Sequence, residues 1–369
     1  MVSFPMAVSP GETRSWVLNH CWRGLVCASL LLAAGSSGVA AQTETRFFRI
    51  GTASTGGSFF EVGGLVASAI SSPVDGGSAC GPGGGCGVPG LVAVAVATQG
   101  SMENLRLVNN QQLESGFAQA DLASMAYDGA GAFAADGPMP RLRAVSSLFP
   151  EALHVVVRSD SPIRSVAELA GKIVAIGESG SGTAANAKML LTAAGFGEND
   201  VTRKNLRPSQ AAEEIKAGTV DALIIAGSYP VPAIQELATA TPIRLVPVTG
   251  AVAAKLEQEF SAYAPTAIPA GSYHNVDTDT PSVGFSALWV VGADADADLV
   301  HGITQAVWSE GAAKLFGGIA PIGKQIKLAD ALKGISVPLH PGAERFYREQ
   351  GMEIDKLPVA QGRAGGTPQ

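Results

Sequence analysis

Charged side chains are scarce in this chain of 369 residues. Asp, Glu, Lys and Arg together make up 15% of it, and the formal net charge is -7. This composition disfavours both a disordered, highly charged chain and a nucleic-acid-binding protein with a basic face. Hydrophobic residues reach 46%, so the chain can bury a large core. Its length fits about two domains of ~150 residues each.

Long apolar runs are also lacking, apart from one near the N-terminus. Arg14 and Arg23 precede an apolar run over residues 24–34, and small residues then follow up to Ala41. A helix that spans a bilayer needs about 20 apolar residues, which this run does not reach. The pattern therefore predicts a signal peptide over residues 1–41 that is cleaved near Ala41, and a mature chain exported to the periplasm.

Cysteine is rare, and two of the four cysteines, Cys21 and Cys27, lie in the predicted signal peptide. The other two, Cys80 and Cys86, flank a segment of glycine and proline only. In an oxidising compartment such a pair predicts a disulfide. The spacing is not Cys-x-x-Cys and no histidine lies close by in sequence, which disfavours a zinc or redox site. No metal or cofactor is expected.

The order of predicted elements alternates between strands and helices. Short β-type runs are followed by loops rich in small residues and then by segments with helical spacing. Such alternation predicts an α/β fold with mostly parallel sheets. The predicted strands lie at residues 47–50, 91–97, 153–157, 172–177, 221–226, 243–246 and 285–291.

Three of the predicted strand-to-helix turns are rich in glycine and hydroxyl side chains. They lie at residues 54–58, 100–104 and 179–183. Each would place unpaired backbone N–H groups at a helix N-terminus, where the helix dipole favours an anion. One such turn is weak evidence, because Ser and Thr cap ordinary helices. Three of them in one α/β chain favour a shared anion pocket at the carboxyl ends of the strands.

The third turn also bears on enzyme activity. Residues 177–181 begin like the Gly-x-Ser-x-Gly nucleophile elbow but end in Ser181, and no His and Asp partners stand out. The turn has the glycine spacing of a P-loop, yet Thr183 occupies the lysine position, which excludes nucleotide hydrolysis there. A binding protein is favoured over an enzyme. A secreted α/β hydrolase with Ser179 or Ser181 as its nucleophile stays an alternative.

Aspartate and alanine alternate over residues 294–298. The spacing resembles that of a calcium-binding loop, but the following Gly and the distant Glu are missing. The run is therefore predicted to begin a helix rather than to bind a cation.

In their order along the chain, these turns resemble the TAXI family of solute-binding proteins. That family comprises extracytoplasmic receptors of tripartite ATP-independent periplasmic (TRAP) transporters. The likeness extends over residues 46–351, almost the whole mature chain. The matching stretches are residues 51–57, 100–105, 117–121, 142–150, 180–183, 268–271 and 338–345.

The resemblance implies a two-lobe α/β fold like that of type II periplasmic-binding proteins, with the ligand cleft between the lobes. Lobe 1 would comprise residues 42–150 and 283–351, and lobe 2 residues 151–282. Residues 352–369 would form a C-terminal tail. The resemblance further implies a monomer that hands its ligand to the integral membrane permease subunits of a TRAP transporter.

The resemblance also implies the class of ligand and the residues that contact it. The ligand would be a small carboxylate or acidic amino acid, such as glutamate or 2-oxoglutarate. No ATP is needed, because an ion gradient drives the permease. The expected contacts are Ser54, Thr55, Gly57, Ser58, Ser101, Asn104, Gln119 and Asp121 in lobe 1, and Ser181, Gly182, Thr183 and Tyr229 in lobe 2.

The chain departs from the family at two places. It has Phe59-Phe60-Glu61 where the family often has a Tyr-Tyr-Pro-like sequence, and Ser228 lies where the family often has a second glycine. Both departures leave the identity of the ligand open. A periplasmic sensor that signals to a partner protein when it closes would share these features, so it stays an alternative to a transport receptor.

Overall fold

The computed structural model describes residues 44–74, 79, 86–319, 321–355 and 357. The predicted signal peptide, Cys80 and most of the predicted C-terminal tail lie outside these residues. Cys86 lies inside them and is buried. The signal peptide, its cleavage and the disulfide therefore stay predictions.

Strands and helices alternate along most of the described chain. The strands are β1 (Arg46–Gly51), β2 (Ser71–Ser72), β3 (Val88–Pro89), β4 (Leu91–Val96), β5 (Ser115–Gln119), β6 (Leu142–Arg158), β7 (Ile173–Ala175), β8 (Thr202–Lys204), β9 (Ala222–Gly227), β10 (Ile243–Leu245), β11 (Ala264–Ile268) and β12 (Thr280–Gly292). The α-helices are α1 (Ser58–Ile70), α2 (Ser101–Asn109), α3 (Ala120–Asp128), α4 (Gly182–Ala193), α5 (Pro208–Ala217), α6 (Pro232–Ala240), α7 (Gly250–Glu259), α8 (Ala297–Val307), α9 (Glu310–Ile319) and α10 (Pro341–Glu349).

One large sheet runs through both halves of the molecule, with strand order β4-β1-β5-β12-β6-β9-β7-β8. Helices α1–α3 and α8–α10 pack with the β4-β1-β5-β12-β6 half, and we call this half lobe 1. Helices α4–α7 pack with the β6-β9-β7-β8 half, which we call lobe 2. Each half carries an apolar core on both faces, and the predicted two-lobe α/β fold is thereby confirmed.

Two long strands, β6 and β12, pass from one lobe to the other. Ala152 pairs with Gly284 of β12 and also with Gly227 of β9, so β6 changes partners there. Gly284 likewise pairs with Ala264 of β11. A Cβ at Gly284 would lie 2.7 Å from the Glu151 carbonyl oxygen, so only glycine allows this close approach. The predicted lobe boundaries at residues 151 and 283 remain predictions.

The expectation of mostly parallel sheets was wrong. Parallel pairs join β1 to β4 and β5, β7 to β8 and β9, and the short strands β2 and β3 to each other, which makes five parallel pairs in the described part of the chain. The pairs that involve β6 or β12 are antiparallel. A continuous apolar run shows that a strand is buried on both faces, but strand direction depends on the connections. Both long strands are buried along most of their length, so they match that pattern while running antiparallel.

The aspartate-rich run begins a helix, as predicted. Asp296 is the N-cap of α8, and its carboxylate accepts a hydrogen bond from the Leu299 amide at 2.7 Å. Asp294 pairs with Arg141, and Asp298 pairs with Arg345. The described residues contain no cluster of His, Cys, Asp and Glu suited to a metal ion. Nor does any helix among them have the length and hydropathy needed to cross a bilayer.

Candidate functional site

Three helix N-termini meet at a cavity between the lobes. Helices α1 and α2 begin at Ser58 and Ser101 of lobe 1, and α4 begins at Gly182 of lobe 2; all three residues line the cavity. The first N–H groups of a helix have no partner within it, so each N-terminus offers free donors. The structure therefore brings the three predicted turns together.

The cavity is small, its wall combines polar and apolar side chains, and the two lobes lie close around it. Its volume is about 50 Å³. Among the described residues that line it there are two carboxylates but no lysine, arginine or histidine. The polar side chains around it are Ser54, Ser58, Gln99, Ser101, Gln119, Glu151, Glu178, Ser181 and Thr183.

Most of the predicted ligand contacts line this cavity, and some do not. Thr55 is exposed outside it, and Tyr229 is half-buried, with its carbonyl oxygen accepting a hydrogen bond from Gln325 Nε2 at 2.6 Å. Asn104 and Asp121 are buried behind the cavity wall. The predicted contacts that line it are Ser54, Gly57, Ser58, Ser101, Gln119, Ser181, Gly182 and Thr183.

Ser101 fixes the orientation of Gln119. The Ser101 hydroxyl donates to Gln119 Oε1 at 3.2 Å and accepts from the backbone N–H of Gln119 at 3.2 Å. This places the Gln119 side chain directly against the start of α4. A Cβ at Gly182 would lie 2.0 Å from Gln119 Oε1 and 2.7 Å from Ser101 Oγ, so a larger residue at this contact between the lobes would have to displace the Gln119 side chain.

The hydroxyl groups at the start of α4 serve the helix itself. Ser181 is the N-cap, and its Oγ accepts a hydrogen bond from the Ala184 amide at 3.0 Å. Thr183 Oγ1 accepts from the Ala226 amide at 3.3 Å and donates to the Ala226 carbonyl at 3.4 Å, which ties α4 to β9. Because the Ala184 and Ala185 amides bond to Ser181, the groups that α4 presents to a ligand are the backbone N–H groups of Gly182 and Thr183.

Asn104 supports the site from behind. Its Nδ2 donates to the carbonyls of Thr52 at 2.7 Å and Phe117 at 2.8 Å, and its Oδ1 accepts from Thr98 Oγ1 at 2.8 Å. These bonds link the residue after β1, the middle of β5 and the loop before α2. Asn104 therefore positions the first two turns relative to each other.

Asp121 links the lobes behind the cavity. This buried carboxylate on α3 accepts a hydrogen bond from Asn186 Nδ2 on α4 at 2.9 Å. Burial raises the pKa of Asp121 to about 6, although the Leu122 amide, the nearby Tyr263 hydroxyl and the hydrogen bond from Asn186 oppose the rise. Asp121 thus holds α4 of lobe 2 against α3 of lobe 1.

Glu151 is a site residue that the sequence prediction missed. It lies on β6 beside the point where that strand changes lobes, it is 2% exposed, and its side chain lines the cavity. Burial raises its pKa to about 8, the nearby Asp121 charge adds to the rise, and a hydrogen bond from Gln119 opposes it. The available signal was a lone carboxylate at the end of the matching stretch 142–150, inside an apolar run.

A buried histidine supports the turn between β9 and α6. The Val231 amide donates to the Tyr273 hydroxyl oxygen at 2.9 Å, and this hydroxyl lies 2.9 Å from His154 Nε2. His154 Nδ1 lies 3.0 Å from the Ala152 carbonyl, which can only accept, so Nδ1 carries the proton and Nε2 accepts from Tyr273. Burial lowers the pKa of His154 to about 4. Val231 lines the cavity, so this network positions part of its wall.

Solved structures that this chain resembles are distant in sequence. One is the periplasmic aliphatic sulphonate binding protein SsuA from Escherichia coli, with 15% identity, coverage of 74% of this chain and 80% of that chain, and a TM-score of 0.38. Another is the alkanesulfonate-binding protein SsuA from Xanthomonas axonopodis pv. citri bound to MOPS, with 19% identity, coverage of 83% and 84%, and a TM-score of 0.43. A third is an ancestral arginine-binding protein bound to arginine, with 14% identity, coverage of 74% and 97%, and a TM-score of 0.42.

These likenesses are too distant to identify a ligand. A match to a protein-family model is more informative. It extends over residues 50–351 and so includes both lobes and every turn at the cavity. The chain belongs to the NMT1-like family.

Proposed function

We propose that this chain is an extracytoplasmic solute-binding receptor that closes its two lobes on a small ligand carrying a carboxylate. The observation that carries the proposal is the meeting of three helix N-termini, at Ser58, Ser101 and Gly182, on one cavity between the lobes. Each N-terminus offers unpaired N–H groups and about half a positive charge. Together they suit a carboxylate without a basic side chain.

The small volume of the closed cavity limits the ligand to a small solute. Hydrogen bonds from backbone amides to a charged group contribute about 1.5–3 kcal/mol each, so a few of them supply useful affinity. Ser54 lies beside the α1 N-terminus and can donate or accept a further bond. Glutamate and 2-oxoglutarate are the ligands we propose first, from the resemblance to TAXI receptors.

The same resemblance supports a role in transport. The receptor would act as a monomer in the periplasm and deliver its ligand to the membrane subunits of a TRAP transporter. An ion gradient would drive transport through those subunits. A ligand sensor would close in the same way. A gene for a large multi-span permease next to the gene for this chain would favour transport over sensing.

A secreted hydrolase receives less support from the site. Ser181 Oγ is engaged as the N-cap of α4, and no histidine lines the cavity among the described residues. His154, which is buried, uses both ring nitrogens in the support of the cavity wall. A nucleophilic serine needs a base within hydrogen-bond reach, which this arrangement does not supply.

Thermal unfolding of residues 42–369 tests the proposal. The chain is first unfolded and refolded to remove any bound ligand, and is then mixed with a panel of carboxylates, amino acids and sugars. A ligand at 100 times its Kd adds about 2.7 kcal/mol, which raises the Tm by a few degrees. We expect stabilisation by a small carboxylate that is recovered unchanged. No shift across the panel, or turnover of an ester or amide, would contradict the proposal.

A further inference from the structure

Glu151 is the one carboxylate that lines the cavity without an ion-pair partner among the described residues. Glu178, the other carboxylate in the lining, lies 3.5 Å from Arg207 Nε at the edge of the cavity. Glu151 is more deeply buried, and its Oε2 has no hydrogen-bond partner within the described part of the chain. The Gln119 side chain donates a hydrogen bond to the Glu151 carboxyl group.

A buried carboxylate without a cation is costly, because ionisation in a low-dielectric site loses the hydration that it has in water. The raised pKa of Glu151 reflects this cost. The charge of the nearby Asp121 increases this cost. Arg207 is already paired with Glu178, so it does not act as the cation for Glu151. A ligand that brings its own positive charge would remove the cost for Glu151.

The cavity therefore offers two kinds of recognition at once. The N-termini of α1, α2 and α4 supply donors for an anionic group, and Glu151 supplies an acceptor for a cationic one. An α-amino acid carries both groups on one small skeleton. The corresponding keto acid has a carbonyl oxygen in place of the ammonium group, and this oxygen can only accept hydrogen bonds, as the ionised Glu151 does.

We infer that Glu151 is a specificity-determining residue that selects α-amino acids over the keto acids of the same carbon skeleton. The inference rests on the proposed function and narrows its ligand class. An ammonium–carboxylate contact is a charge-assisted hydrogen bond, among the stronger kinds in proteins. Loss of such a bond weakens binding by about tenfold or more.

Isothermal titration calorimetry with matched ligand pairs tests the inference. The pairs are L-glutamate with 2-oxoglutarate and L-alanine with pyruvate, titrated into the refolded chain about one pH unit above 8, where the Glu151 carboxyl group is mostly ionised. The variants are Glu151→Gln and, as a control outside the cavity, Glu236→Gln on the exposed face of α6. We expect the wild-type chain and Glu236→Gln to bind the amino member of a pair about tenfold or more tightly than the keto member. We expect Glu151→Gln to lose most of that preference.

The possible results separate the inference from the proposed function. Equal or tighter binding of the keto acid by the wild-type chain would overturn the inference and leave a carboxylate receptor standing. So would a preference that survives in Glu151→Gln. If neither pair binds but another carboxylate from the panel does, the inference that Glu151 selects α-amino acids is overturned. The proposed carboxylate receptor then still stands. If nothing in the panel binds, the proposed function fails and the inference fails with it.

Discussion

The hydroxyl oxygens of Ser58 and Ser228 lie 2.6 Å apart although 170 positions separate them in sequence. Ser58 begins α1 in lobe 1, and Ser228 follows β9 in lobe 2. The Ser228 amide donates to Ser58 Oγ at 3.1 Å, and the Ser228 hydroxyl donates to the Pro230 carbonyl at 2.9 Å. The Ser58 hydroxyl is thus left to donate to Ser228. These bonds join the lobes directly beside the cavity, as expected for the closed form of a two-lobe receptor.

Removal of this contact should weaken ligand binding. The bonds between Ser58 and Ser228 exist only when the lobes are closed, so they favour the form that holds ligand. We expect Ser228→Ala, which removes one bond across the cleft, to raise the Kd by about two- to tenfold, and Ser58→Ala, which removes both, to raise it by more. Titration calorimetry of both single variants and the double variant measures the effect.

The double-mutant cycle provides its own control. If the two hydroxyl groups act on each other, the double variant loses less affinity than the two single losses combined. Ser68→Ala, whose hydroxyl donates to the Gly64 carbonyl on the same helix, should leave the Kd unchanged. Fully additive losses would show that Ser58 and Ser228 affect binding independently.

The buried His154 should make folding stability depend on pH in the acid range. Its pKa is 6.5 when exposed and about 4 in the folded chain, so below pH 6.5 the unfolded state binds a proton that the folded state does not. The free energy of unfolding should therefore fall as the pH drops from 6.5 to 4, by up to about 3 kcal/mol. Denaturant titrations across this range measure the slope.

His154→Gln separates this contribution from those of other groups. Glutamine does not titrate, so the free energy of unfolding of the variant should fall less steeply between pH 6.5 and 4 than that of the wild-type chain. Parallel curves for the two proteins would show that His154 is protonated alike in the folded and unfolded states.

Glu151 should produce the opposite dependence at higher pH. Its pKa is 4.5 when exposed and about 8 in the closed cavity, so the folded state holds its proton more tightly than the unfolded state. The stability that comes from this proton is present below pH 4.5 and is lost as the pH rises through 8. Glu151→Gln keeps a neutral side chain at every pH, so its advantage over the wild-type chain should grow across this range.

Denaturant titrations of both proteins from pH 4.5 to above 8 test this expectation. Opening of the cleft would let water reach the carboxylate and would limit the loss of stability in the wild-type chain. A constant difference in free energy of unfolding between the wild-type chain and Glu151→Gln would show that the carboxyl group is not dehydrated in the folded protein.

Local sequence patterns were enough for the fold class and for the starts of the helices at the cavity. Glycine and hydroxyl residues between a strand and a helix have a local physical cause, because they satisfy or expose the first N–H groups of the helix. The first residues of three helices, Ser58, Ser101 and Gly182, accordingly lie within the predicted turns. Alternation of apolar strands and helices likewise predicted an α/β fold.

Long-range pairing could not be predicted in the same way. The sequence predicted a strand over residues 153–157, whereas β6 extends over Leu142–Arg158. Pro150 and Glu151 interrupt the apolar pattern, and the pairing with β12 that stabilises this part depends on residues more than 100 positions away. Glu151 was missed for that reason. Asn104 and Asp121 were predicted to contact the ligand but are buried behind the cavity wall. A position near a turn in the sequence does not determine whether a side chain faces the cavity.

Gly182 provides the most direct test that ligand is held between closed lobes. Its backbone lies outside the left-handed region, so alanine fits the helix, yet a Cβ there would clash with Gln119 and Ser101 across the cleft. Gly64→Ala on α1 is the matched control, because a Cβ at Gly64 meets nothing within 4 Å.

The measurement is the Kd of the best ligand of the panel for the wild-type chain, Gly182→Ala and Gly64→Ala by titration calorimetry. Overpacking costs about 1–3 kcal/mol, so Gly182→Ala should bind about tenfold or more weakly while Gly64→Ala binds as the wild-type chain does. Because the lobes can open to relieve the clash, the free energy of unfolding of Gly182→Ala without ligand should change little. Undiminished binding by Gly182→Ala would contradict a ligand site between the closed lobes.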